Sequence, residues 1–200
     1  MLVEAQVPAA EAVSVGELKA YLRLQTADED ALLAGLLRSA RAMCEAFVRV
    51  WLLQRGAVET VAVVPPPGAR LSGAPVGAVT LVEALYADGT SATLTGGQFV
   101  VTYDADQVAY VSTNDGLAQQ LRVTYSAGLA TDWNGVAEPL RQGIVRLAAH
   151  MFANRDAADE AGPPAVVAAL WRPYRRMRLG GPGPVARGPS IGLLLEGGPW

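Results

Sequence analysis

Residues 28–64 read DEDALLAGLLRSARAMCEAFVRVWLLQRGAVETVAVV, and a change of period inside this stretch decides the fold class. Leu33, Leu36, Leu37, Ala40, Cys44, Phe47, Val48 and Trp51 recur at intervals of three and four, the pattern of an amphipathic helix. Asp28, Glu29 and Asp30 sit where the positive end of a helix dipole favours acids. The helix is therefore expected to start at Thr26 or Asp28 and to run for about 23 residues. Arg38, Arg41, Glu45 and Arg49 fall mainly on its other face. After Arg55-Gly56 the period changes. Val58-Glu59-Thr60-Val61-Ala62-Val63-Val64 is rich in β-branched residues and stops at Pro65-Pro66-Pro67, as a strand does.

Upstream, residues 1–13 lack clear periodicity and read as an extended arm. Ser14-Val15-Gly16-Glu17 fits a capping box, and Leu18, Tyr21 and Leu22 follow at helical spacing, so a short first helix is expected over 15–23. Downstream, Val79–Tyr86 and Ala92–Leu94 flank Asp88-Gly89, a turn pair suited to positive φ, and predict a hairpin. Gln98–Tyr103, Val108–Ser112 and Leu121–Tyr125 alternate in the same manner, with Asn114-Asp115-Gly116 between the last two. The spacing predicts roughly five to seven short strands over 57–126, antiparallel because the connections are too short for helical crossovers.

Helix then returns. Pro139 suits a first helical turn, and Leu140, Ile144, Leu147, Ala148, Met151 and Phe152 form an apolar stripe up to Asn154. Asp156–Pro164 reads as a loop. Val166, Val167, Leu170 and Trp171 open a last helix that Pro173 should interrupt. From Gly180 the chain is rich in Gly and Pro, yet it carries the apolar run Ile191-Gly192-Leu193-Leu194-Leu195.

The expected architecture is α+β: a small antiparallel bundle of about four helices, an inserted antiparallel β domain and an extended C-terminal tail. Its boundaries are an arm at 1–13, helices one and two at 14–56, the β insertion at 57–130, helices three and four at 136–179 and the tail at 180–200.

Composition narrows the function. With 51% hydrophobic and 18% charged residues most of the chain should fold, and a net charge of −3 argues against a general nucleic-acid binder. The charge is uneven. Between Arg172 and Trp200 stand Arg172, Arg175, Arg176, Arg178 and Arg187 against the single acid Glu196, while Asp28-Glu29-Asp30 is the densest acidic run. One cysteine, Cys44, excludes an intrachain disulfide, and no run approaches the roughly 20 apolar residues of a membrane span. A protein with no membrane association, made in the cytoplasm, is expected.

Chemistry-bearing motifs are sparse. His150 is the only histidine and follows Leu147, Ala148 and Ala149 on an apolar helix, where packing is its expected role. Cys44 lies within a helical stripe, where a thiol behaves as a small hydrophobe. Asp104-Ala105-Asp106 has neither the Gly nor the late Glu of a calcium loop. Gly96-Gly97 and Gly180-Gly181-Pro182-Gly183 lack the Lys-Ser/Thr of a phosphate loop, and no Ser stands in a nucleophile elbow. No catalytic, metal or cofactor site is expected. The group Arg172, Arg175, Arg176 and Arg178 has three readings: a solvated helix end, an intersubunit or partner contact, or a surface facing a nucleic-acid channel.

Several segments, taken in order, resemble one family. Val13-Ser14-Val15-Gly16-Glu17-Leu18-Lys19-Ala20-Tyr21-Leu22-Arg23-Leu24 followed by Asp28-Glu29-Asp30-Ala31-Leu32-Leu33 looks like the opening of the head–tail connector (adaptor) proteins of long-tailed phages. Pro139–Ile144 with Ala149-His150-Met151-Phe152-Ala153-Asn154-Arg155 is similar to that family's third helix, and Val167–Arg175 to its closing helix. The likeness covers 13–178. It implies a homo-oligomeric ring of about twelve subunits docked beneath a capsid portal protein, above a stopper or tail-terminator protein. DNA would pass through the lumen without sequence recognition, and no catalysis is implied. Another neck role, such as a stopper or tail-completion protein, is the alternative.

Domesticated relatives of this family occur in gene transfer agents, and an Arg-rich, Lys-poor chain with abundant Ala and Gly suits that bacterial setting. The implied location is the neck of a virion or phage-like particle. The tail at 180–200 departs from shorter family members. Its apolar residues Ile191, Leu193, Leu194, Leu195 and Trp200 are the candidate partner interface, since an extended segment adds a strand to a sheet edge or fills a groove.

Overall fold

The computed structural model describes residues 2–6, 14–65, 67–154 and 162–176. Among them the fold is α+β, with four α-helices, a five-stranded sheet and a three-stranded sheet, every strand pairing antiparallel.

Helix α1 (Val15–Leu22) starts as its sequence dictates, with the Ser14 hydroxyl accepting the Glu17 amide at 3.1 Å. The Glu17 carboxylate lies 3.9 Å from the guanidinium of Arg141. Helix α2 (Asp30–Val48) has 19 residues, shorter than the stripe predicts at both ends. At its start the Asp30 amide is tied to the Ala27 carbonyl, so Asp28 and Glu29 lie in the preceding turn. At its end Arg49 turns left-handed (φ 60°) and the Val50 amide returns to the Glu45 carbonyl. Trp51 thereby leaves the helix. It packs instead against the apolar cluster of the sheets, while Val50, Leu52 and Leu53 stay buried in the helical core.

Helix α3 (Glu138–Ala153) carries its proline in the first turn, where the missing N–H removes no helical bond. It packs along α2 and touches α1 and α4. Helix α4 (Ala165–Trp171) gives way at Pro173 to a 3₁₀ turn, Arg172–Tyr174. Trp171 is fully buried: its ring stands 5.7 Å from that of Phe47, and its Nε1 donates to the Leu140 carbonyl at 3.4 Å. That seat requires Gly143, because a Cβ there would stand 2.0 Å from Trp171 Nε1. Leu18, Leu33, Leu37, Leu140, Ile144 and Leu147 complete this core, each fully buried Leu contributing about 2 kcal/mol.

The larger sheet has the order β1-β2-β8-β4-β5, and the smaller β3-β7-β6. Their ranges are β1 Leu2–Ala5, β2 Arg55–Ala62, β3 Gly68–Arg70, β4 Val76–Leu85, β5 Ser91–Thr93, β6 Phe99–Tyr103, β7 Ala109–Thr113 and β8 Gln120–Ala127. The β4–β5 hairpin turns at Gly89 (φ 83°), as Asp88-Gly89 predicts. The turn at Asn114-Asp115-Gly116 does more than reverse the chain, because it carries it from the smaller sheet to the larger. Facing residues of the sheets, among them Val82, Ala84, Val111, Leu121, Val123 and Tyr125, bury a second apolar cluster.

Two strands escape the sequence reading. β3 has three residues, too few to show a period. β1 falls within the segment read as an arm, and it is zipped onto the edge of β2 from Leu2↔Thr60 to Ala5↔Ala57, with the Gln6 amide donating to the Gly56 carbonyl.

Candidate functional site

The most developed polar constellation lies where the chain passes from helix to sheet. Leaving α2, residues 51–54 run beside residues 128–130: Leu129 N–H donates to Trp51, Ala130 N–H to Leu52, and Gln54 N–H to Ala130. The two segments touch so closely that a Cβ on Gly128 (φ 145°) would fall 2.4 Å from Gln54 Cα.

Across this crossing, Arg55 makes a forked pair with Glu45 of α2 at 3.2 and 2.9 Å, and Glu45 Oε1 also accepts the Leu52 amide at 2.9 Å. Both side chains are about 10% exposed, so little water competes for either charge. The Arg55 guanidinium lies 4.2 Å over the Trp51 ring, which stacks on Tyr125 of β8 at 6.3 Å and 13°. Tyr125 in turn donates to Glu59 Oε2 at 2.7 Å. The fully buried Glu59 carboxylate also accepts the Ser72 hydroxyl at 2.6 Å and the Ser72 amide at 2.9 Å. Burial, then the hydrogen bond to Glu59, push the Tyr125 hydroxyl well above the ordinary tyrosine range, so it stays a neutral donor. The chain Glu45–Arg55–Trp51–Tyr125–Glu59–Ser72 thus fastens helix to sheet, and it has the geometry of a clamp.

This clamp was missed in the sequence, although a signal existed. Within β2, Glu59 shares its phase with Ala57 and Val61, the core-facing positions, so period-2 alternation places a carboxylate inside.

The predicted site residues fall as follows. Arg172 is exposed in the 3₁₀ turn. Arg175 lies 5.5 Å over the Phe47 ring, and Arg176 donates its guanidinium to the Asp106 carbonyl and its amide to the Val48 carbonyl at 3.1 Å. Arg178, Ile191, Leu193, Leu194, Leu195 and Trp200 lie outside the described residues.

Cys44 is fully buried, and burial followed by the neighbouring Glu45 charge pushes its thiol far up, away from the reactive thiolate. Asp104 uses its carboxylate within its own turn, accepting the Asp106 and Val108 amides at 2.9 Å and Arg70 at 3.1 Å. His150 stands in the last turn of α3 with its Nδ1 3.1 Å from Asn154 Nδ2. Among the described residues no group of three His, Cys, Asp or Glu could hold a metal ion, and no helix is long and apolar enough to cross a membrane.

Fold and constellation together define an α+β protein whose most developed described polar constellation joins helix to sheet. No protein-family model matches the sequence, and no curated protein does. Solved structures do resemble it. One is a chain in the neck of an empty gene transfer agent (GTA) particle computed with C6 symmetry, 25% identical, covering 90% of this chain and 99% of that one with a TM-score of 0.71. Another is a chain in the virion of a native GTA particle, at 25% identity, the same coverage and a TM-score of 0.70. A chain in the neck of a native GTA particle computed with C12 symmetry shares the fold at 24% identity and a TM-score of 0.68.

Proposed function

We propose that this chain is a structural subunit of the neck of a phage-like particle of the gene transfer agent kind. The observation that carries the reading is a likeness spanning 90% of this chain and 99% of a GTA neck chain at 25% identity. The finer assignment is the head–tail adaptor: a ring between capsid portal and tail, with DNA passing through its lumen. Neck structures computed with C6 and C12 symmetry support a cyclic arrangement. Ring closure requires two different, complementary patches on every subunit.

In this reading the chain catalyses nothing. Its Cys44 thiol is kept protonated by burial, and its buried carboxylate Glu59 is consumed by Tyr125 and Ser72. The region 57–130 is proposed to act as an inserted β unit on a helical bundle formed by 14–56 and 136–179. Arg172 and Arg178 are proposed to face a partner or the lumen, and Ile191, Leu193, Leu194, Leu195 and Trp200 to grip a partner.

Mixing the purified protein with the portal protein of its own particle and imaging the product tests the adaptor role. A ring seated directly on the portal is expected. Absence of association at every salt concentration overturns it, and attachment only below another ring assigns the chain to the stopper position.

A further inference from the structure

The smaller sheet ends in an open edge. Strand β6 pairs with β7 alone among the named strands, from Phe99↔Thr113 to Tyr103↔Ala109. The Asp104 amide donates to Val108 and the Asn114 amide to Gln98, so the even-numbered residues turn their amides toward β7. By antiparallel alternation Val101 and Tyr103 turn theirs outward. The edge is also apolar: Val100 is 58% and Tyr103 47% exposed. A bare edge of this composition is a template for one more strand.

The place where the described chain stops supplies the occupant. Arg176 is held at the β6–β7 turn by its guanidinium on the Asp106 carbonyl. Fifteen residues further on stands Ile191-Gly192-Leu193-Leu194-Leu195. In an extended segment Ile191, Leu193 and Leu195 share one face, matching Phe99, Val101 and Tyr103, which share one face of β6. The intervening stretch contains Pro182, Pro184 and Pro189, which favour extension, and spans up to roughly 45–50 Å. A return to the adjacent edge of the same subunit needs only a short loop. A spacer of this length and composition suits a reach to the next subunit.

We infer that residues 191–195 add as a strand to the β6 edge of a neighbouring copy of this chain, linking subunits hand to hand. The inference rests on the ring reading above and assigns the tail to a neighbouring subunit in place of the portal.

The test uses the full-length chain. Cys44 is buried and its thiol is kept protonated, so it does not compete for oxidation. One preparation carries Val100→Cys and a second Leu194→Cys, which share the other face of the joined strands; the two are mixed under a mild oxidant, and a third preparation carries both substitutions. A disulfide-linked dimer in the mixture, at least about tenfold over a Leu117→Cys control, is the expected result. A disulfide within one chain of the double variant, with none in the mixture, overturns the neighbour assignment, and no disulfide in either overturns the edge.

Tyr103→Pro removes an outward N–H while leaving every β6–β7 ladder bond, so it should dissociate the oligomer with the far-ultraviolet circular dichroism unchanged. An intact oligomer counts against the inference. Light scattering of the wild-type chain separates the two levels. A monomer defeats the ring reading and this inference with it, whereas an oligomer without the disulfide defeats only this inference.

Discussion

Glu59 shows how much a single buried group can organise. Its carboxylate receives two hydroxyls and one amide from two other segments, so none of those donors is left bare in the sheet core. Truncation by Glu59→Ala removes all three acceptor contacts at once, and each orphaned buried donor costs about 1–3 kcal/mol. Tyr125→Phe removes one hydroxyl that both donates to Glu59 and accepts the Gly73 amide. The expected losses in denaturant unfolding are about 4 kcal/mol for the first and about 2 kcal/mol for the second. The double variant should lose clearly less than their sum, because the two share a bond. Strict additivity would show that the contact carries no coupling. Gly143 is the counterpart in the helical core. Gly143→Ala drives a methyl into Trp171 and should cost about 3 kcal/mol, and an unchanged melting temperature would refute the close packing.

At the scale of elements, boundaries depend on residues that the hydrophobic pattern does not mark. The stripe of α2 was legible, and its buried members Leu33, Leu37, Ala40, Cys44 and Val48 are those the period picks out. Its end was not, because Arg49 adopts the left-handed conformation without being Gly or Asn, the residues that usually announce one. Likewise β4, β6, β7 and β8 were legible from alternation, whereas β1 and β3 exist only through their partners. The clamp joins Glu45 to Arg55 across 10 positions, Glu59 to Ser72 across 13 and Glu59 to Tyr125 across 66, and no local period joins them.

The turn that moves the chain between sheets also carries a pH signature. Asp115 accepts the Tyr86 hydroxyl at 2.6 Å and the Leu117 amide at 3.0 Å, and these bonds hold its carboxyl below the usual range. A carboxyl with a lowered folded-state pKa stabilises the fold above its unfolded value near 4, and that contribution is lost as the pH falls through the folded value. Melting temperature should therefore fall on acidification from pH 5 toward pH 2, less steeply in Asp115→Asn. Equal slopes in the two proteins would remove Asp115 from the account.

For the whole molecule, the decisive question is which parts of the chain serve the fold and which serve assembly. The described chain closes on itself at Arg176: its amide is bound to Val48 at the end of α2 and its side chain to the β6–β7 turn. Among the described residues the last core members in chain order are Val167 and Trp171. Beyond 180 the run Leu193-Leu194-Leu195 is as apolar as any core strand. In the proposed reading this run meets a surface on another chain. The expected consequence is a separation of stability from assembly. Truncation after Gly180 should leave the melting temperature within about 2 °C of wild type, equivalent to at most about 1 kcal/mol for a chain of this size. The same truncation should lower incorporation into particles, or the oligomer fraction in solution, several-fold. Full incorporation would refute the role in assembly. A fall of about 5 °C or more in melting temperature would show instead that the tail covers its own subunit.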